Sequence, residues 1–283
     1  EKVNLMSNKE IEDLKTLIKA LDIRLRNEEL SQEEYDDLKT KYEAKLDEEI
    51  SLVKEKSFLK DMSYISISGS GKVTDSYIKI SGSGRVEGWR GGSIAISGSG
   101  KISDDEIKIS GSASLPGDLK THTLKASGSI KANGPIETYI FTSSGSCMID
   151  GYLVAHEKLA ISGSGKIDSD IKGGQVSSNG SLKVAGTILC VNAELNGSYK
   201  VEGNVECQES FRSELDSKCT IEGDLLCSGD VRIEQGRRRG QLQVNQIIAE
   251  GNVYLEGVSA QLVSGKTVKI GPDCQVDKVE EKS

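Results

Sequence analysis

One short sequence recurs along most of this chain, and it constrains the fold more than any other feature. Its first copy, ISISGSGKV, occupies residues 65–73, and close copies occupy 78–86, 94–102 and 107–115. Including the more divergent copies, the first glycine of the repeat lies at positions 69, 82, 98, 111, 128, 145, 163, 180 and 197. Repetition at intervals of 13 to 18 residues predicts a solenoid, in which each copy stacks on the next.

The alternation within each copy predicts β-strands. Ile65, Ile67, Gly69, Gly71 and Val73 share one parity, and serines and a lysine occupy the other. Successive strand residues point to opposite faces, so we expect inward ladders of Ile, Gly and Val. Only 4% of the residues are aromatic and 31 are Gly, which suits a narrow interior.

These patterns predict a mainly β fold, a right-handed parallel β-helix of about 12–13 turns over residues 61–283. The 13-residue intervals are too short for three full faces. We therefore expect one corner of those turns to be shortened, and the repeat leaves open which one.

Residues 1–60 carry the pattern of two helices. Ser7 with Glu10, and Ser31 with Glu34, fit the capping box that starts a helix. Apolar residues recur three or four positions apart along both segments, at Ile11, Leu14, Ile18, Leu21 and Leu25 and at Tyr35, Leu38, Tyr42, Leu46, Ile50 and Val53. The short connection at residues 26–30 predicts a helical hairpin that forms a domain before the solenoid.

Three of the six cysteines occupy equivalent positions of the repeat. Cys190, Cys207 and Cys227 each follow a matching Val or Ile by six residues and share the inward parity. Zinc takes cysteine ligands, but there is no CxxC pair, and stacked turns would place these thiols in a line. We interpret them as an interior ladder of packing residues.

No motif indicates catalysis or a cofactor. The Gly-Lys of the repeat is followed by Val or Ile, whereas a phosphate-binding loop requires Ser or Thr there. His122 and His156 lie 34 residues apart and do not repeat, and the carboxylates do not cluster as in glycoside hydrolases. With a net charge of −8, nucleic acid is not favoured as a partner. We expect no enzymatic activity, cofactor, metal or small-molecule substrate.

Basic residues share one outward register, and carboxylates follow two positions later. The basic positions are Lys72, Arg85, Lys101, Lys166, Lys183 and Lys200, and the acidic ones are Glu87, Asp168 and Glu202. A cationic stripe would suit an anionic membrane surface, but adjacent stripes of opposite sign more simply relieve repulsion between turns. Arg237, Arg238 and Arg239 interrupt the repeat and are either a candidate partner loop or a solvated excursion.

The repeat series and the segment VSGKTVKIGPDCQVDKVE (263–280) resemble bactofilins, a family of polymer-forming cytoskeletal proteins. The resemblance covers roughly residues 63–280, and residues 28–46 resemble a short helical module found in other prokaryotic proteins. It implies a three-faced β-helix that polymerises end to end without nucleotide, often near membranes. The chain departs from the family in lacking Pro-rich tails and in carrying a helical hairpin beside the first turn.

The expected function is therefore that of a structural scaffold. Open strand edges pair with other chains, so the candidate assembly ends are Ile65 and Ile67 at one end and Val268 and Ile270 at the other. The expected partner is a second copy, in an oligomer or filament, with a membrane surface or envelope protein as a further partner. No apolar run approaches the ~20 residues of a membrane span, so we expect a cytoplasmic location. The alternative is an envelope or surface binding module like the adhesin-type β-helices.

Overall fold

The computed structural model of the protein describes residues 14–19, 21, 25, 31–58, 62–74, 77–89 and 92–282. The chain forms two compact units. One comprises Glu1–Met62 with Val73–Tyr77, and the other comprises Ser63–Lys72 with Ile78–Ser283. Within the described ranges, no helix is long and apolar enough to cross a membrane.

The first unit is helical. Residues 14–19, 21 and 25 are helical, and a long helix spans Gln32–Phe58. The predicted capping box starts the long helix, because the Ser31 amide donates to Glu34 Oε2 at 3.0 Å and the Glu34 amide donates to Ser31 Oγ at 3.3 Å. The other predicted capping box, at Ser7, and the connection at 26–30 lie outside the described residues.

The second unit is a β-solenoid of about ten turns, which confirms the mainly β solenoid fold. Its first three strands are β1 (Tyr64–Val73), β2 (Tyr77–Trp89) and β3 (Gly92–Ser103). The next strands are β4 (Glu106–Ile109), β5 (Ser112–Leu115), β6 (Leu119–Ala126), β7 (Ser129–Ala132), β8 (Ile136–Ser143), β9 (Ser146–Ile149), β10 (Leu153–Ile161), β11 (Ser164–Ile167), β12 (Ile171–Ser178), β13 (Ser181–Val184), β14 (Ile188–Leu195) and β15 (Ser198–Val201). The last are β16 (Val205–Leu215), β17 (Lys218–Ile221), β18 (Leu225–Cys227), β19 (Asp230–Gln235), β20 (Gln241–Val244), β21 (Gln246–Ala249), β22 (Asn252–Leu255), β23 (Val258–Gly265), β24 (Thr267–Ile270) and β25 (Gln275–Glu281).

Each regular turn contributes one segment to each of three walls, and each wall is a parallel β-sheet. The first and second halves of long strands such as β14 and β16 form walls A and B, and short strands such as β13 and β15 form wall C. In later turns β18 belongs to wall A alone and β19 to wall B alone. Turns stack in register, so Leu153 pairs with Ile171 and Ile171 with Ile188. These side chains are fully buried, and their stacking forms the core.

The first copies of the repeat do not form stacked turns. The Ser63 amide donates to the Glu87 carbonyl at 2.9 Å, so β1 starts beside the end of β2 and the two strands are antiparallel. Only two residues separate β2 from β3, too few for a parallel crossover. Strand β3 is antiparallel to β4 and β5, with Gly100 opposite Ile109. The expected shortened corner is therefore wrong, because a 13-residue interval closes a hairpin instead, and the turns number about ten.

The first glycine of each later copy lies at the corner between walls B and C, and does not point inward as expected. A Cβ on Gly145 would lie 1.9 Å from the Gly128 carbonyl oxygen, so only glycine allows the turns to approach this closely. The second glycine of the copy does point inward, and Gly165 shares a buried column with Cys147 and Leu182.

Candidate assembly surfaces

The last turn exposes side chains that are buried in every earlier regular turn. Ile270 follows Leu255 in the same column, and Val279 follows Val263. Leu255 and Val263 are 0% exposed, whereas Ile270 is 43% and Val279 46% exposed. Among the described residues no further turn covers these positions, so the last described turn presents an apolar surface.

The predicted residues Val268 and Ile270 lie in this C-terminal surface with two residues that the sequence analysis missed. Val276 and Val279 align with Ala260 and Val263 of the preceding turn. Their spacing from these two residues in the sequence could have identified them. The edge is partly blunted, because the Val268 amide donates to Glu281 Oε1 at 2.9 Å.

The opposite end of the sheet is more polar. All residues of β1 are exposed or half-buried, and the predicted residues Ile65 and Ile67 are half-buried. Most of the rest of this strand is Ser and Gly, so the N-terminal edge presents backbone groups with little apolar surface.

Cys190, Cys207 and Cys227 form one column on the inner side of wall A. Cys190 pairs with Cys207 and Cys207 with Cys227 in the sheet register, and all three are buried. The Sγ atoms of Cys190 and Cys207 lie 3.6 Å apart. The hydrogen bond with Cys190 and burial raise the pKa of Cys207, and burial raises the pKa of Cys227. These two thiols therefore stay protonated at neutral pH and are poor nucleophiles.

Among the described residues, no group of three or more His, Cys, Asp or Glu side chains has an arrangement that could hold a metal ion. The buried cysteine side chains pack between wall A and the interior.

The outward basic residues pair with neighbouring carboxylates. Lys166 Nζ lies 2.7 Å from Asp168 Oδ1, and Arg85 Nε lies 2.8 Å from Glu87 Oε1. Hydrogen bonding to Asp168 raises the pKa of Lys166. Paired charges of this kind leave a stripe of mixed sign along the outside of the sheet.

Arg237, Arg238 and Arg239 form an exposed turn between β19 and β20. The Arg238 amide donates to Asp216 Oδ1 at 3.3 Å, and Arg239 has a positive φ of 51°. The backbone of this loop is thus anchored on the preceding turn while three side chains extend into solvent.

The two histidines lie in one column after all, at the corner between walls A and B. Their 34-residue separation is two turns, and the Tyr139 ring lies between them. It stacks on His122 with ring centroids 4.9 Å apart and is tilted relative to His156, with centroids 5.2 Å apart. Glu137 Oε2 lies 2.7 Å from Lys120 Nζ, and its Oε1 lies 3.2 Å from His156 Nε2. The hydrogen bond from Lys120, followed by that with His156, lowers the pKa of Glu137. The sequence analysis treated the two histidines as unrelated, although their separation of 34 residues equals two 17-residue intervals of the repeat.

The outer side of wall A forms a groove of about 690 Å³ beside the cysteine column. Apolar side chains line its floor, among them Val154, Leu189, Leu226 and Ile248. Each of them is half-buried. This surface was not predicted, because its apolar residues lie 22 to 37 residues apart and outside the copies of the repeat.

No protein-family model, curated protein or solved structure matches this chain.

Proposed function

We propose that this protein is a non-enzymatic cytoplasmic scaffold that self-associates end to end through its β-solenoid, without nucleotide, in a bactofilin-like role. The C-terminal end is the principal contact. A membrane surface or an envelope protein is a further partner of the assembled form.

The observation that carries the proposal is the exposure of core columns at the last turn. Leu255 and Val263 are fully buried because the next turn covers them, whereas no turn among the described residues covers Ile270 and Val279. A second copy placed on this end would cover these side chains as a further turn does.

Burying a Val or Ile side chain contributes roughly 1.5–3 kcal/mol. Four such residues, Val268, Ile270, Val276 and Val279, and the open edges of β24 and β25 supply a favourable contact. The cost of association is of similar size, about 4–15 kcal/mol. We therefore expect assembly that depends on protein concentration. The chemistry is that of strand edges and apolar side chains and involves no phosphate group.

Sedimentation velocity of the full chain over a range of concentrations tests the proposal, with and without ATP or GTP. We expect oligomers that grow with concentration and do not respond to nucleotide. The double variant Ile270→Lys/Val279→Lys places two charges in the contact and should abolish growth beyond a dimer. Met148→Lys is the matched control, because Met148 is also an exposed apolar residue, 39% exposed, but lies on a side wall.

Growth beyond a dimer that persists in the double variant would contradict the C-terminal contact. A wild-type chain that stays monomeric at every concentration would contradict the scaffold function. That result would favour the alternative, a surface binding module.

A further inference from the structure

The side chains that point outward from wall A form a single column. The order of charged and apolar residues along this column indicates how a second copy could bind. The column follows from the pairing of successive turns. In order along the solenoid it consists of Lys120, Glu137, Val154, Lys172, Leu189, Glu206, Leu226 and Ile248, and it continues to Ser264 and Glu280 in the last two turns.

The two central charges have apolar neighbours in their own chain. Lys172 lies between Val154 and Leu189, and Glu206 lies between Leu189 and Leu226. Across the described part of the chain, neither takes part in an ion pair. The Glu206 carboxylate accepts one weak hydrogen bond, from Asn204 at 3.4 Å. By contrast, Lys120 and Glu137 at the start of the column pair with each other at 2.7 Å.

We propose that two copies of the chain pair laterally, wall A against wall A, in antiparallel orientation about a two-fold axis at the level of Leu189. This contact uses a different surface from the end-to-end contact and does not depend on it. The column residues from Val154 to Ile248 line the groove of about 690 Å³ along this wall, so a copy seated on the wall would cover them.

Charge complementarity determines the orientation. A two-fold axis parallel to the solenoid would place Lys172 opposite the same lysine of the other copy, and Glu206 opposite the same glutamate. An axis along the strands, at the level of Leu189, reverses the order of the turns. Lys172 then faces the other copy's Glu206, twice by symmetry, and Val154 faces Leu226. Such an isologous contact closes as a dimer, and opposite charges across it favour this register over others.

The two corners beside the column are compatible with this register. At the corner with wall B, Val191 lies at the level of the axis and would face the same valine of the other copy. At the corner with wall C, Asp170 and Asn204 lie one turn on either side of Thr187. Asp170 of each copy would therefore face Asn204 of the other copy. Within these central turns no like charges oppose one another.

Charge reversal tests the proposal in the Ile270→Lys/Val279→Lys background, in which the end contact is blocked. Lys172→Glu puts carboxylates at both central positions, and Glu206→Lys puts ammonium groups at both. We expect each to raise the dimer dissociation constant at least about ten-fold. The double variant Lys172→Glu/Glu206→Lys exchanges the charges and should restore dimerisation. An equimolar mixture of the two single variants should also dimerise, because each supplies the charges that the other lacks.

Lys183→Glu is the matched control, since it reverses an outward charge in the neighbouring wall C segment of the solenoid. It should leave the dimer constant unchanged. Analytical ultracentrifugation gives the constants, and circular dichroism melting verifies that every variant is folded. Three results would each overturn the proposal: a monomeric background protein, single variants that dimerise like the background, or a double variant and mixture that fail to recover.

Discussion

The first three strands and the later turns are built from the same repeat, yet the chain reverses direction in one region and coils in the other. The copy occupies wall B, the following corner and wall C, as in residues 159–167. Where the period is 17, eight residues remain between copies, and in the regular turns they form wall A and its corners. Between the first two copies only four residues remain, so the chain can only turn back. The length between copies, and not the copy itself, therefore decides whether the chain coils.

The first strand and the later turns also differ in how they bury their apolar residues. Side chains of the later turns are enclosed by walls on three sides, and Phe141 is fully buried. Strands β2 and β3 also bury residues fully, such as Ile78 and Ile94, but the antiparallel strand β1 has no buried residue. This difference in enclosure should appear as a difference in stability, and the following predictions test it.

The largest effect is expected from a large-to-small change inside the regular turns. Phe141→Ala should lower the free energy of unfolding by about 3–5 kcal/mol, because it leaves a cavity between walls that cannot collapse. Ile67→Ala in β1 removes a half-buried side chain and should cost less than about 1.5 kcal/mol. Urea denaturation measures both. Equal losses would show that β1 is as enclosed as the later turns.

The corner glycines distinguish a backbone constraint from side-chain packing. Gly145→Ala should destabilise by about 3 kcal/mol, because its Cβ would lie 1.9 Å from a backbone oxygen that cannot move independently. Gly165→Ala is the control. Its Cβ would meet only the Ile161 and Leu182 side chains at 3.1 Å, and the change should stay within about 1 kcal/mol. Thermal melting that ranks the two variants in the opposite order would refute the corner assignment.

Alkaline pH should loosen the regular turns selectively, because the strands β1–β3 contain no cysteine. Burial raises the pKa of Cys147 from 9.0 to about 11. Above pH 9 the unfolded chain loses this proton while the native protein keeps it, so the free energy of unfolding falls as pH rises from about 9 to about 11. For Cys147 alone the loss approaches roughly 2–3 kcal/mol. Urea denaturation at pH 8 and pH 10.5 measures it.

Cys147→Val removes the titrating thiol while keeping the site apolar, so this variant should lose less stability at pH 10.5 than the native chain does. Cys274→Val is the control at a half-buried cysteine near the C-terminal end. If Cys147→Val and the native chain lose the same stability, the thiol does not titrate as inferred.

The smallest effect is expected from the outward ion pairs, which both regions share. Lys166→Ala and Arg85→Ala each remove one member of an exposed pair. Each should shift the melting temperature by less than about 2 °C, because solvent screens exposed charges. A shift of 5 °C or more in either variant would show that the stripe contributes to stability beyond relieving repulsion.

The periodic features of the structure were predictable from sequence, and those that depend on neighbouring turns were less so. The capping box at Ser31 and Glu34 was predictable because it involves residues three apart. The column of Cys190, Cys207 and Cys227 was predictable because each cysteine follows the matching Val or Ile of its copy of the repeat by six residues. The groove of wall A was not predicted, because it lies in the segments between copies, where Leu189 and Leu226 follow no repeated motif.

The sequence by itself determined that residues 64 onward form strands and that the apolar columns stack, because strand alternation and periodicity are local properties of the chain. Tertiary structure alone decided where the chain coils and where it reverses, which glycines form corners, and which columns end uncovered at Ile270 and Val279. These properties depend on whether a neighbouring turn is present and how closely its backbone approaches. No single copy of the repeat contains that information.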